Sequence, residues 1–286
     1  MTTQREVVRE APAAGPATTA NETTGVNLRR VLPWVSTPLI LVLLYLAWLA
    51  VIEVFDINEL VLPSPNDVIT SFFEIVREPQ TWEHVRTTAV ETVVGFLIAV
   101  ALGLVTGVVL GKLPWLEVCL RPMIVASQVV PKVALVPLFV IWFGFGMTSK
   151  ILMSALLAFF PIMLNVQLGV RSVDAGQRDV MRSLNASRWQ LLRHLELKST
   201  LPYVFAGMEV GIVFAVIGAV VGEYLGGSEG LGNMVVVTLN ALNAPELFAV
   251  IALLSLMGLI LYFVVNSLKR FVIPWHESVY SQREEI

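Results

Sequence analysis

Apolar runs of about twenty residues alternate along the chain with short polar intervals, a repeat length matched to the ~30 Å hydrocarbon core of a bilayer. The runs cover 31–52, 88–110, 123–143, 151–170, 201–221 and 247–268, which predicts an all-α integral membrane protein of about six transmembrane helices. The intervals between them alternate in charge. Arg29 and Arg30 precede the first run, and the next interval carries Glu53, Asp56, Glu59, Asp67, Glu74, Glu78 and Glu83 against Arg77 and Arg86. Lys112 and Arg121 follow the second run, and Gly144, Gly146 and Lys150 form a tight turn after the third. The stretch 171–202 is basic, 222–246 holds Glu223, Glu229 and Glu246 with no basic residue, and Lys269 and Arg270 close the last run. Basic loops are retained on the cytoplasmic side. The alternation therefore places both termini inside, with the acidic intervals and the 144–150 turn outside.

Finer patterns refine the runs. Small residues recur at every fourth position of the second run, Gly95, Ala99, Gly103, Gly107 and Gly111, a ridge over which another helix can approach closely. Pro131 and Pro137 interrupt the third run and predict a kinked or partly unwound helix whose freed backbone groups face protein or water. LPSP at 62–65 is extended, and an amphipathic helix follows it with Val68, Phe72, Ile75 and Val76 on its apolar side. Residues 1–27 are rich in Ala, Thr, Pro and Glu, lack an apolar leader and read as a disordered tail. The domain organisation is then a cytoplasmic tail over 1–30, a transmembrane domain over 31–270 and a cytoplasmic tail over 271–286.

The basic interval, RSVDAGQRDVMRSLNASRWQLLRHLELKSTLP, is the longest polar stretch between two runs. Arg171, Arg178, Arg182, Arg188, Arg193 and Lys198 stand against Asp174, Asp179 and Glu196, an excess of +3. Two short helices fit it. Asp174 can cap the first, which reaches Leu184; Ser187 with Gln190 three residues on is a capping box for the second. Asn185, which tolerates the left-handed conformation of a helix C-cap, lies between them. The plain alternative is a surface loop with ordinary helical content.

Composition narrows the function. With 56% hydrophobic and 14% charged residues the chain is an integral membrane protein, and its net charge of −3 offers no basic face for nucleic acid. Cys119 is the only cysteine, and His84, His194 and His276 are scattered, so neither a disulfide nor a metal cluster is expected, and no cofactor is implied. Gly107-Val-Val-Leu-Gly111-Lys112-Leu113 resembles a phosphate-binding loop, but it is one residue short and has Leu113 at the Ser/Thr position. Ionisable residues in spans are the default candidates for function. Lys132, between Pro131 and Pro137, either faces a solute pathway or snorkels to the inner surface. Glu91 and Glu209 either pair with neighbours or reach interfacial water. Glu223, beside so much glycine, reads as a structural anchor or gate element. Lys132, Pro137 and Glu223 are the pathway or gate candidates, and no nucleophile, acid pair or metal set marks an enzyme.

The basic interval resembles the cytoplasmic signature of the permease subunits of bacterial ABC importers, Glu-Ala-Ala, three residues, Gly, nine residues, Ile, one residue, Leu-Pro. Asp179, Val180 and Met181 stand at its Glu-Ala-Ala, Asn185 at its glycine and Leu201-Pro202 at its end. LPSP at 62–65, VALVPLFVIWFGFGMTSK at 133–150, FFPIMLN at 159–165 and GEYLGGSEGLG at 222–232 resemble the nitrate/sulfonate/taurine branch. The resemblance implies a bundle of the type I importer permease kind in a bacterial inner membrane. It also implies two ABC ATPase subunits that hydrolyse ATP, a second permease copy or homologue, an external substrate-binding protein, and surrounding lipid. The interval becomes the helix that docks on the ATPase, carried by Asp179, Val180, Met181, Arg182, Ser183, Leu184 and Asn185, with Leu201 and Pro202 closing the signature. Solutes of the branch include nitrate, sulfonates, taurine and bicarbonate, and relatives carry pyrimidine precursors of thiamine. Val180 and Met181 are bulkier than alanine, which implies a docking groove shaped for larger side chains. Two other classes compete: an ion-gradient-driven transporter, which needs intramembrane acids and paired broken helices, and a membrane scaffold or sensor, which needs no ATPase.

Overall fold

The computed structural model describes residues 28–275, and every regular element among them is helical. The expected leading tail up to residue 27, His276 and the end of the chain lie outside the described residues. Two compact units are distinguished, Met1–Val42 and Leu43–Ile286. The opening part of α1 (Leu28–Phe55) belongs to the first, and all that follows concerns the second.

A short amphipathic helix α2 (Pro65–Arg77) precedes the first long span of this unit, α3 (Pro79–Lys112). Ser64 caps α2 by accepting a hydrogen bond from Asp67 N, and Pro65 occupies its first turn, where no N–H is needed. Its apolar side closes on α11 (Ala244–Val272) through buried Ile75, with Phe72 and Val76 packed against the same cluster.

The third apolar run differs from expectation. Helix α4 (Pro114–Val129) begins nine residues before 123 and the chain breaks at Val130–Pro131. A 3-10 turn (Lys132–Leu135) then leads into α5 (Val136–Phe143), with the two pieces bent by 83°. Pro131 coincides with the break, whereas Pro137 does not interrupt a helix. It sits in the first turn of α5, where its missing N–H costs nothing. Among the described residues, counting the bent pair as one span gives up to six candidate spans, and five without it.

Helix α6 (Met147–Arg171) is the centre of the bundle and packs on both α3 and α9 (Leu197–Gly226). The ridge expected on α3 faces it. A Cβ on Gly95, Gly103 or Gly107 would meet α6 atoms at 2.5 to 2.8 Å. A second small-residue ridge on α9, Gly207, Gly211 and Gly218, presses on α6 as well, at 2.6 to 2.9 Å. Phe96, Ala99, Ala158, Ile162, Val166 and Ile212 fill the space between. Lipid tails are as apolar as these side chains, so close van der Waals fit holds the three helices together.

Two boundaries need correction. Lys150 lies in the first turns of α6 and is 3% exposed, so it is not part of an external turn. Gly222 and Glu223 lie in the last turns of α9, and the glycine-rich loop shrinks to the few residues before α10 (Leu231–Asn240), including Gly230 at φ +102°. Both shifts have one cause: a helix continues as long as its end is buried against neighbours, which loop composition alone does not reveal.

Replacing Gly107 by alanine should lower stability by about 1–3 kcal/mol, because the new methyl meets Met163 O at 2.7 Å and backbone cannot yield as a side chain can. Gly258→Ala, whose Cβ meets nothing nearer than Val216 at 3.9 Å, should leave the melting temperature in detergent unchanged or raise it. Equal melting of the two variants would refute the packing account.

Candidate functional site

The stretch from Asp174 to Glu196 projects from the end of the bundle where α3 and α6 finish and α9 begins. Asp174 Oδ1 accepts from Gln177 N at 2.8 Å and starts α7 (Ala175–Ser183). Asn185 adopts φ +56°, and Ala186 N closes the helix on Met181 O at 3.0 Å. The capping box forms as expected: Ser187 N donates to Gln190 Oε1 at 2.8 Å and Gln190 N to Ser187 Oγ at 3.3 Å. The second helix, α8 (Arg188–Leu191), is not separate. It passes through one π-helical turn (Leu192–Glu196) straight into α9, so the turn at Asn185 is rooted in a membrane span.

The expected docking residues divide by exposure. Leu184 and Trp189 are 72% and 67% exposed, Val180 is exposed beside them, and Met181 is half-buried. Asp179 and Arg182 pair across one turn at 3.5 Å, in full contact with solvent, and Ser183 donates to Val180 O. Leu201 and Pro202 stand apart from this group, partly buried within α9. Counting the signature strictly from Asn185 puts Leu195 at its isoleucine and Leu197-Lys198 at its Leu-Pro. Leu201-Pro202 therefore repeats the pattern one helical turn later.

Glu196 ties the base of this projection together. It lies 3.3 Å from Lys112 on α3 and 3.8 Å from Arg178 on α7. Arg171 reaches Glu117 at 3.4 Å and donates to Leu110 O at 3.2 Å. The exposed ion pairs contribute little stability singly. As a set they fix how α7 leaves the bundle. Glu209 pairs with Lys269 at 3.1 Å.

At the opposite end, three charged side chains meet in the interior. Glu91 on α3 and Glu223 on α9 are fully buried, and Lys150 Nζ lies 3.4 Å from Glu91 Oε1. Glu223 accepts from the Thr88 hydroxyl through one oxygen and from Gly232 N through the other, both at 2.6 Å. Thr88 Oγ in turn accepts from Leu231 N at 2.8 Å, and His84 Nδ1 accepts from Gly230 N at 3.0 Å. The first N–H groups of α10 are thus held by α3 and α9, with a carboxylate at the helix N-terminus. Thr88, His84 and Lys150 do not stand out in the sequence. The available signal was Lys150 and Glu91, opposite charges at the same end of two adjacent spans.

Lys132 lies at the break between α4 and α5, half-buried, with Nζ 4.8 Å from the centre of the Phe160 ring. Pro137 is exposed on α5. The phosphate-loop lookalike at 107–113 is the last turns of α3, and Gly107 serves helix packing there. Among the described residues no group of three or more His, Cys, Asp or Glu could hold a metal ion.

A bundle of apolar spans, latched at one end and projecting a basic helix–turn segment from the other, is the architecture of a membrane transport permease. This chain belongs to the family of binding-protein-dependent transport system inner membrane components, matched over residues 99–277. It is 35% identical to the riboflavin transport system permease protein RibX of Chloroflexus aurantiacus, over 86% of this chain and 92% of that one. It is 32% identical to the formylaminopyrimidine transport permease protein ThiX of Halalkalibacterium halodurans, over 76% and 86%. It is 30% identical to the putative aliphatic sulfonates transport permease protein SsuC of Bacillus subtilis, over 94% and 98%.

Lys150→Met should destabilise the solubilised protein by about 3–5 kcal/mol, since it leaves two buried carboxyl groups without their cation. The double variant Lys150→Met/Glu91→Leu should recover part of the loss. Thermal unfolding checks this, and a double variant no more stable than the single one would show that the pair is not the cause.

Proposed function

We propose that the chain is the membrane-spanning subunit of an ATP-driven importer and that Asp179 to Asn185, with Trp189, is its docking element for an ATPase partner. The observation that carries this is the exposed apolar group Val180, Leu184 and Trp189 on a basic turn between the spans. Large exposed apolar side chains rimmed by charge mark interaction surfaces. The charge pattern supports a cytoplasmic position for this end and for both termini. ATP is hydrolysed on two ATPase subunits, and a second permease copy or homologue completes the pathway. An external binding protein delivers the solute.

Movement of the ATPases shifts α7, and the Glu196 bridges carry the shift to α3 and α9. The broken α4–α5 pair, with Lys132 over Phe160, lines the solute pathway, because non-helical backbone at membrane depth is tolerated only beside protein or water. Glu223 acts as a gate element by holding the start of α10. The solute is a small organic compound. The riboflavin and formylaminopyrimidine names of two relatives support a ring-bearing solute, and the sulfonate name supports an acidic one.

Copurification of a nucleotide-hydrolysing partner with the tagged chain tests the central point, and its absence would favour a scaffold or a gradient-driven transporter. In reconstituted complexes, Asn185→Gly should keep solute-stimulated hydrolysis within about twofold. Asn185→Val, which resists φ +56°, should lower it about tenfold or more. Equal stimulated rates in the two variants would sink the role given to this turn.

A further inference from the structure

A polar cavity of about 280 Å³ opens at the end of the bundle opposite the basic projection. Its walls are helix ends: Glu78, Thr81 and His84 at the start of α3, Ser228 and Asn233 around α10, and Glu246 in the first turn of α11. No lysine or arginine lines it.

Hydrogen-bond accounting shows what the cavity lacks. Asn233 spends its amide N–H on Gly227 O, which leaves its carbonyl oxygen free to accept. Glu246 accepts from the Asn243 side chain through one oxygen only. Glu78 makes no ion pair among the described residues, and Thr81, 1% exposed, has a hydroxyl with no partner. Gln80, Ser228 and the ring N–H of His84 add donors to these walls, so their chemical bias is one of charge: the carboxylates of Glu78 and Glu246 face no lysine or arginine. The complement is a cationic group such as a guanidinium or ammonium.

Size and position identify the source. At about 280 Å³ the cavity stands at the lower end of small-molecule sites and has room for one long side chain. It shares His84 with the buried contacts that Thr88 and Glu223 make to residues 231–232. The surrounding face is acidic as well: seven carboxylates against two arginines between Glu53 and Arg86. A protein with a basic surface is drawn to this end by charge, and one of its side chains can enter the cavity.

We propose that this cavity receives an arginine or lysine side chain of the external binding protein, so that docking pairs an acidic permease face with a basic partner. The proposal rests on the importer reading given above. The rigid latch behind the cavity preorganises it, and seating the side chain places the partner directly over the start of α10.

The test titrates the cognate binding protein against ATP hydrolysis by the reconstituted complex. Glu78→Gln/Glu246→Gln should raise the half-stimulating concentration about tenfold and weaken its dependence on salt. Glu53→Gln/Glu59→Gln, which removes the same charge from exposed positions outside the cavity, should change it less than twofold. Equal shifts in the two double variants would mean a diffuse field and overturn the cavity. So would a lowered maximal rate at unchanged half-stimulating concentration, the mark of a structural defect. Stimulation by millimolar L-argininamide without the binding protein would identify a free cation as the occupant and also overturn it. If the wild-type complex shows no response to any binding protein, the importer reading fails and the docking site with it. A wild-type response left unshifted by Glu78→Gln/Glu246→Gln sinks the docking site alone.

Discussion

Everything in this bundle depends on α6 being gripped by two neighbours. Glycine ridges on α3 and α9 bring backbone to within van der Waals contact of it, and a cation at each end of α6 fastens it to α3. Lys150 meets Glu91 near one end, and Arg171 donates to Leu110 O at the other. In lipid, where burial of apolar surface drives no association between helices, such fit and such polar contacts must replace the hydrophobic effect. The three helices consequently behave as one body. Close fit of this kind leaves little room for α6 to slide between its neighbours.

The two ends of this body are built differently. At the basic end the ion pairs are partly solvated and centre on one acid, Glu196, which meets Lys112 and Arg178 at once. Such contacts can exchange partners at small cost. At the acidic end the charges are buried and every N–H of the Gly230 to Gly232 segment has an acceptor. Those contacts are costly to break. The bundle thus has one end whose ion pairs are partly solvated and one whose charges are buried, where the start of α10 is held in register with α3 and α9.

Much of this was legible in the sequence, and the rest failed for identifiable reasons. The α3 ridge, the amphipathic α2, the Asp174 and Ser187 caps and the left-handed Asn185 were all readable because each is a local rule with a short period. The 83° bend at Pro131 was readable as a kink, but not the innocence of Pro137, since a proline's effect depends on which helical turn it occupies. Lys150 was misplaced because a lysine after two glycines looks like the end of a loop. Its membership of α6 follows from Glu91, fifty-nine residues away, and no local pattern carries that distance. Glu223 was readable as an anchor beside its glycines, Gly232 among them, but its partner Thr88, 135 residues away, was not.

Opposite polarity at the two ends has a consequence for assembly. The basic interval carries an excess of +3, and the face around α2 and the start of α3 is acidic. Partners steered by long-range fields are drawn to the end that complements them and repelled from the other, which suppresses wrong docking before any side chain fits. Local fit then decides among similar partners. On the docking proposed above, that fit is set by Val180 and Met181, larger than the alanines of the family signature. A groove that accommodates them leaves a void against a smaller segment, and a groove cut for alanine clashes with this one. On that proposal charge selects the end, and side-chain volume selects the partner.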